Sequence, residues 1–181
     1  MILEDILTSN NVVLAINQNL DSLVELIPEL RLMFNFEHKH PHHHLDVWNH
    51  TLLALSISEN NFVIRLALLL HDIGKSLCYT EKDGVRHFHG HPEVSSKMAE
   101  KILYRLGYDK KTVDLVTYLI AFHDTPMKEE DFKNDREKSI LRYKVQYSDA
   151  YAHNPQKLEK RIAYLNSIEE MLNKETNLKH D

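Results

Sequence analysis

The chain has 181 residues, 43% hydrophobic and 27% charged, a length and balance that suit one domain with a sizeable core and exclude wholesale disorder. Its 22 Lys and Arg against 27 Asp and Glu leave a formal charge of -5, which disfavours a long groove neutralising many phosphates but leaves room for a small phosphorylated ligand or one RNA end. A lone cysteine, Cys78, excludes an internal disulfide framework, the acidic start MILEDILTSN lacks the charge of a secretory leader, and no apolar run approaches the ~20 residues a bilayer needs; a cytoplasmic protein with no membrane partner is expected.

Only four glycines and five prolines interrupt long stretches with apolar residues three and four apart, so the expected fold class is all-α. In chain order, the spacing predicts helices over 2–17 and 20–32, the second opening at Asp21 with the ladder Leu23, Leu26, Ile27. A histidine-rich run follows, His38, His40, His42, His43 and His44, broken by Pro41 and leading straight into a helix over 46–58. The next helix, 61–72, is apolar until it ends in His71 and Asp72. Residues 78–90, CYTEKDGVRHFHG, change period around Asp83-Gly84, a two-residue hairpin turn, which predicts a small β-hairpin insertion near 79–89. Helices then follow over 92–106, with Pro92 at its first position, His91 as cap and Gly107 as stop, and over 110–123, 136–153 and 155–174. There is no internal repeat and no long linker; whether the last helix packs on the core or on a second subunit is left open.

The segment 65–75, RLALLLHDIGK, carries the chemistry: a core helix delivers two polar side chains that are costly to bury without partners. Alone, the His71-Asp72 pair could merely cap its helix. Two further groups on apolar-periodic helices change the balance, His50 in DVWNHTLLAL and Asp149 in LRYKVQYSDAYAH. Four nitrogen and oxygen donors from three helices suit Mn, Fe, Co, Ni or Zn better than Ca, and a bundle core is where helices bring such donors together.

His50, His71-Asp72 with the following Ile73-Gly74-Lys75, and Asp149 resemble the H…HD…D pattern of the HD-domain metal-dependent phosphohydrolases. The longer strings HPHHHLDVWNHTLLAL, LALLLHDIGK and DGVRHFHGHPEVSSKMAEKIL are similar to the HD domain attached to bacterial tRNA nucleotidyltransferases, the CCA-adding enzymes, over about residues 36 to 153. The nucleotidyl-transferring half has no counterpart here, so CCA addition is not expected. The resemblance implies an HD-type helical bundle and one or two divalent ions, with Mg as a further candidate, held by His50, His71, Asp72 and Asp149 and, for a second ion bridged by Asp72, by His91 and His123. Many two-metal members carry two consecutive histidines where this chain reads His123-Asp124, so the second ion is either weakly held or takes the Asp124 carboxylate. The plain alternatives are a helix cap for His91 and a surface position for His123.

As a working mechanism, Asp72 binds or bridges metal and orients water while Lys75 brings positive charge to the phosphate; a cation at a helix end has the bland explanation of the helix dipole. His43 and His87, on flanking loops, are candidate substrate contacts. The resemblance implies phosphomonoesterase or phosphodiesterase activity on a nucleotide or an RNA 3′ end, 2′,3′-cyclic phosphates included. A non-catalytic nucleotide sensor and a purely structural helical protein are the rival readings. The tyrosines at 104, 118, 143, 147 and 151 recur at helical spacing and are assigned no role.

Overall fold

A computed structural model describes residues 2–177, with side chains as far as 173. The described residues form helices α1 (Ile2–Leu7), α2 (Val12–Gln18), α3 (Leu20–Leu26), α4 (Val47–Ile57), α5 (Phe62–Leu70), α6 (His91–Arg105), α7 (Lys110–Ala121), α8 (Glu129–Asn134), α9 (Arg136–Tyr151) and α10 (Glu159–Asn177), with strands β1 (Thr80–Lys82) and β2 (Val85–His87). The fold is the expected all-α bundle carrying a small hairpin. Local chemistry sets most boundaries. Asn11, Asp46, Asn61, Asp109 and Asp135 each accept a backbone N–H three residues on, satisfying an orphan donor at a helix start. At the other end of α6, Gly107 takes φ +83°, and the N–H groups of Tyr108 and Gly107 donate to the carbonyls of Leu103 and Tyr104, a paired C-terminal stop. Asp83 and Gly84, both at positive φ, close the hairpin in the register Lys82↔Val85.

The helix that positions the site is α5. Residues Leu66 to Leu70 are wholly buried, and a helix apolar on all faces belongs at the centre of a fold. It packs against α1, α4, α6, α7 and α9, so its C-terminal end delivers His71 and Asp72 into the middle of the bundle. Gly74, just beyond, lies so close to α6 that a methyl group there would stand 2.8 Å from the Ser95 amide nitrogen and 2.8 Å from Val94 Cγ1.

Several expectations need correction. The helix foreseen over 2–17 is two helices separated at Thr8–Asn11; the buried ladder Leu3, Ile6, Leu7, Val12, Ile16 runs through the break and hides it. The helix foreseen over 20–32 ends at Leu26, because Pro28 opens a separate 3-10 segment, Pro28–Met33. The one foreseen over 155–174 is a 3-10 turn, Pro155–Lys157, followed by α10. Helix α8 was not foreseen; one turn and a half gives too short a period to read, and its Asp131 accepts the Lys128 N–H at the start. His91 is the first residue of α6 rather than its cap, a place taken by Gly90 at φ +77°. The open packing of α10 resolves onto its own chain: Ile168 is wholly buried with Met127 and Phe132.

Candidate metal centre

Five elements meet at the end of α5. His50 projects from α4, His71 and Asp72 follow α5, His91 starts α6, His123 follows α7, and Asp149 sits near the end of α9. All six are buried, from 0% exposed at His71 to 8% at His91. His50 Nε2 lies 2.9 Å from Asp149 Oδ1 and 3.7 Å from Asp72 Oδ2; His71 Nε2 lies 3.2 Å from Asp72 Oδ2 and 3.4 Å from Asp149 Oδ1. On the other side of Asp72, Oδ1 lies 3.3 Å from His91 Nε2 and 3.9 Å from His123 Nε2. His50, His71 and Asp72 therefore make one group whose ligand atoms are close enough for a single ion, Asp72, His91 and His123 make a second, and Asp72 is common to both.

The hydrogen bonds around the histidines aim the same ring atom inward. The Nδ1 atoms of His50, His71, His91 and His123 face the carbonyls of Ala152, Leu68, Phe88 and Ile120 at 3.1, 2.7, 2.9 and 2.6 Å. A carbonyl only accepts, so each Nδ1 carries the proton and each Nε2 is left as a lone pair or a second protonated site. Holding the outer nitrogen on a carbonyl is the usual way a protein orients a ligating imidazole. His91 Nε2 and His123 Nε2 stand only 3.2 Å apart, an arrangement that two lone pairs tolerate only with a proton or a cation between or beside them. His71 Nε2 and Asp72 Oδ1 are buried and make no hydrogen bond. Their closest contacts are ionic neighbours at 3.2–3.4 Å rather than hydrogen bonds; buried polar atoms left so are expensive, and a divalent cation would satisfy both. The donor set, imidazole nitrogens with carboxylate oxygens, suits a transition metal.

The electrostatics agree with that reading. Burial would raise the carboxyls of Asp72 and Asp149, but His71 and Lys75 beside the first, and His153, His50 and His71 beside the second, hold both well below the usual carboxylate range. Burial opposes charge on His71, yet the neighbouring Asp72 and Asp149 carry it up to about 10. In the metal-free protein His71 thus supplies the positive charge that the two carboxylates require. His123, buried beside His71 and His91, falls to about 3 and keeps its lone pair.

The other candidate residues are placed as follows. Lys75 is buried, with Nζ 2.7 Å from Asp72 Oδ2 and 3.0 Å from His38 Nε2, so two of its three donors are engaged and one remains for the cleft it lines. His43 and His87 also line this cleft, a volume of about 430 Å³ floored by Asp72, His91, His123 and Asp149. His43 stacks on His38 at 3.6 Å, and burial pulls its pKa down. Asp124 lines the cleft but stands apart from both ion-sized groups; its Oδ1 is 4.0 Å from Arg161 Nη2. His123 is buried rather than at the surface. Arg86, which also lines the cleft, is a strut: it donates to the Glu37 carbonyl at 2.6 Å and to Glu81 at 2.9 Å, and packs on Phe36 and Tyr79.

Two residues escaped the sequence reading. His153 makes a third group with His50 and Asp149, and burial takes its pKa to about 3. The signal was its spacing, four residues after Asp149 and so on the same side of the chain. His38 receives the Lys75 ammonium and donates through Nδ1 to the Leu45 carbonyl at 2.8 Å, a role that depends on the closing of its loop and has no local signature.

A helical bundle with histidines and aspartates from five elements gathered around one shared carboxylate defines a protein of the metal-binding helical class. The HD domain family model matches residues 42–171, and the chain belongs to that family. HD domains bind divalent metals. The chain is 35% identical over 111 residues to a CC-adding tRNA nucleotidyltransferase of Thermus thermophilus, covering 58% of the chain and 25% of the relative. It is 32% identical over 96 residues to an A-adding tRNA nucleotidyltransferase of Deinococcus radiodurans, covering 49% of the chain and 22% of the relative. The chain thus spans about a quarter of the length of these curated relatives. No helix among the described residues is long and apolar enough to cross a membrane.

Proposed function

We propose that the chain is a metal-dependent phosphohydrolase that cleaves a phosphoester of a nucleotide or of an RNA 3′ end, as a phosphomonoesterase or a 2′,3′-cyclic phosphodiesterase. The observation that carries this reading is the convergence, at the floor of an open cleft, of inward-facing imidazole Nε2 atoms on a carboxylate whose buried Oδ1 lacks a hydrogen bond. His50, His71, Asp72 and Asp149 would hold one ion, and Asp72, His91 and His123 a second; Mn, Fe, Co, Ni, Zn and Mg are the candidates. A divalent cation in such a shell lowers the pKa of a bound water from 15.7 to about 7 and polarises a phosphoryl oxygen. Asp72, fixed by Lys75, holds its charge and orientation without depending on solvent. The remaining Lys75 donor, with the His43 and His87 rings on the walls, would take up phosphate oxygens. The core cluster running from Leu3 to Ala152, with the N-terminal helices in it, and the smaller cluster of Met127, Phe132 and Ile168 that seats α10 support treating the chain as one HD-type unit. The named relatives act on tRNA, which makes an RNA end a natural alternative to a free nucleotide; the charge of -5 and the size of the cleft favour the smaller substrate.

The test is a screen of untagged protein with Mn or Ni against 2′,3′-cyclic nucleotides, nucleoside monophosphates, deoxynucleoside triphosphates and RNA bearing a cyclic end. Turnover of at least one class, abolished by chelator and restored by metal, is the expected result. Tight nucleotide binding without turnover under every metal would replace the hydrolase with a sensor.

A further inference from the structure

A second cavity of about 300 Å³ adjoins the metal cleft and shares His123, Asp124, Thr125 and Arg161 with it. It lies between α9 and α10, and its far wall is formed by Pro126, Ala150 and Leu165. Beside the charged Lys160, Asp124 and Arg161, the polar side chains of Tyr164 and Gln146 are already paired: the Tyr164 hydroxyl donates to Gln146 Oε1 at 2.7 Å and accepts the Met127 N–H at 2.8 Å, while Gln146 Nε2 donates to the carbonyls of Phe122 and Thr125. Such a wall offers an incoming group flat apolar contact and little hydrogen bonding. At the junction of the two cavities stands Arg161, about a third exposed, which makes no hydrogen bond among the described residues; its ionic neighbour, Asp124, is 4.0 Å away.

We propose that this cavity receives the nucleobase of a nucleoside phosphate, and that Arg161 binds the phosphate from the side opposite Lys75. The inference rests on the phosphoester reading above and assigns its leaving group a place. Three features support it. The cavity adjoins the metal cleft and shares four lining residues with it, close enough for one molecule to reach into both. An apolar hollow beside an uncommitted guanidinium matches a ligand that is planar and apolar at one end and anionic at the other. A guanidinium can also take two phosphate oxygens at once, which a lysine cannot. A ligand of inorganic phosphate size would leave the second cavity empty.

The test is an NMR titration of zinc-loaded, ¹⁵N-labelled full chain with a non-hydrolysable phosphonate analogue of adenosine monophosphate, with adenosine, and with inorganic phosphate. The analogue and adenosine are expected to shift the amides of Ala150, Tyr164 and Leu165, and inorganic phosphate to leave them in place. Arg161→Ala is expected to weaken the analogue about tenfold, the loss of a charge-assisted contact, while adenosine binds as before. Shifts confined to residues around Lys75 and His87, or no shift at all at millimolar analogue, would overturn the proposal. If the α10 amides respond but no phosphoester is ever hydrolysed, the hydrolase reading fails and the base site stands; hydrolysis with silent α10 amides gives the reverse.

Discussion

Asp72→Asn is expected to abolish metal-stimulated phosphoester hydrolysis, lowering kcat/KM by about a thousandfold or more while the protein stays folded. The magnitude follows from the place of the residue: removal of one preorganised electrostatic group from an active site costs about 10²–10³, and Asp72 is shared by both ion-sized groups. Asn keeps the volume and one acceptor oxygen for Lys75 but removes the charge that faces four histidines. Asp72→Ala should in addition destabilise the fold, because it removes even the acceptor oxygen that Asn keeps for the buried Lys75 ammonium; breaking a buried pair by removing one partner costs about 3–5 kcal/mol. Comparison of the two variants separates chemistry from folding: rates measured with saturating Mn, beside thermal melts, should show both variants inactive and only Ala markedly destabilised. Full activity in Asp72→Asn would refute the assignment of this carboxylate.

Gly74→Ala is expected to lower stability by about 1–3 kcal/mol, the range for overpacking a filled interior. At about 2–4 °C per kcal/mol for a chain of this size, the melting temperature should fall by roughly 2–12 °C. The backbone angle is not the cause, since φ at Gly74 is -88°, within reach of any residue. Space is the cause. The new methyl would meet a main-chain nitrogen of α6, which cannot turn aside as a flexible side chain would, and relief requires α6 to move away from the turn after Asp72. That movement would also stretch the Gly74 N–H to Ser95 Oγ bond, 3.0 Å, and draw His91 away from Asp72. Metal affinity at the His91 and His123 side should therefore fall about 10- to 100-fold, as for loss of an orienting contact around a metal. A melting temperature and metal affinity equal to those of the parent chain would show that the α5–α6 approach does not set the site.

These two residues also mark how far the sequence could be read. The string LLLHDIGK was legible because burial, ligand-type side chains and a glycine fall within a few positions of one helix end. His50 and Asp149, 99 positions apart, were legible for a different reason: each lies on an amphipathic helix, and the resemblance to HD domains joined them. Illegible were the contacts made by loops. His38 reaches Lys75 because the Glu37↔Asp46 bridge and the Arg86 N–H to Lys39 carbonyl bond fold the histidine run back over the site. His42 likewise ties the loop to the end of α9 by accepting the Asn154 N–H at 2.8 Å. None of these bonds leaves a periodic trace. The break between α1 and α2 was hidden for the opposite reason, because apolar periodicity continued across a turn whose polar residues Thr8, Ser9, Asn10 and Asn11 were the better guide. Arg161 stayed out of sight because a basic residue in the first turn of a helix has no signature until the neighbouring cavity is seen.

The most direct test of the central claim is a calorimetric titration of untagged, chelator-stripped protein with cobalt or manganese, accompanied by elemental analysis after dialysis. The account predicts saturable uptake that survives dialysis, is lost in Asp72→Asn, and releases a proton. His71, held near 10 in the metal-free protein, is protonated at neutral pH and must give up that proton to become a ligand, so affinity should rise with pH across the range from 6 to 9. A chain that stays metal-free after exposure to Mn, Co, Ni, Fe and Zn in turn would contradict it.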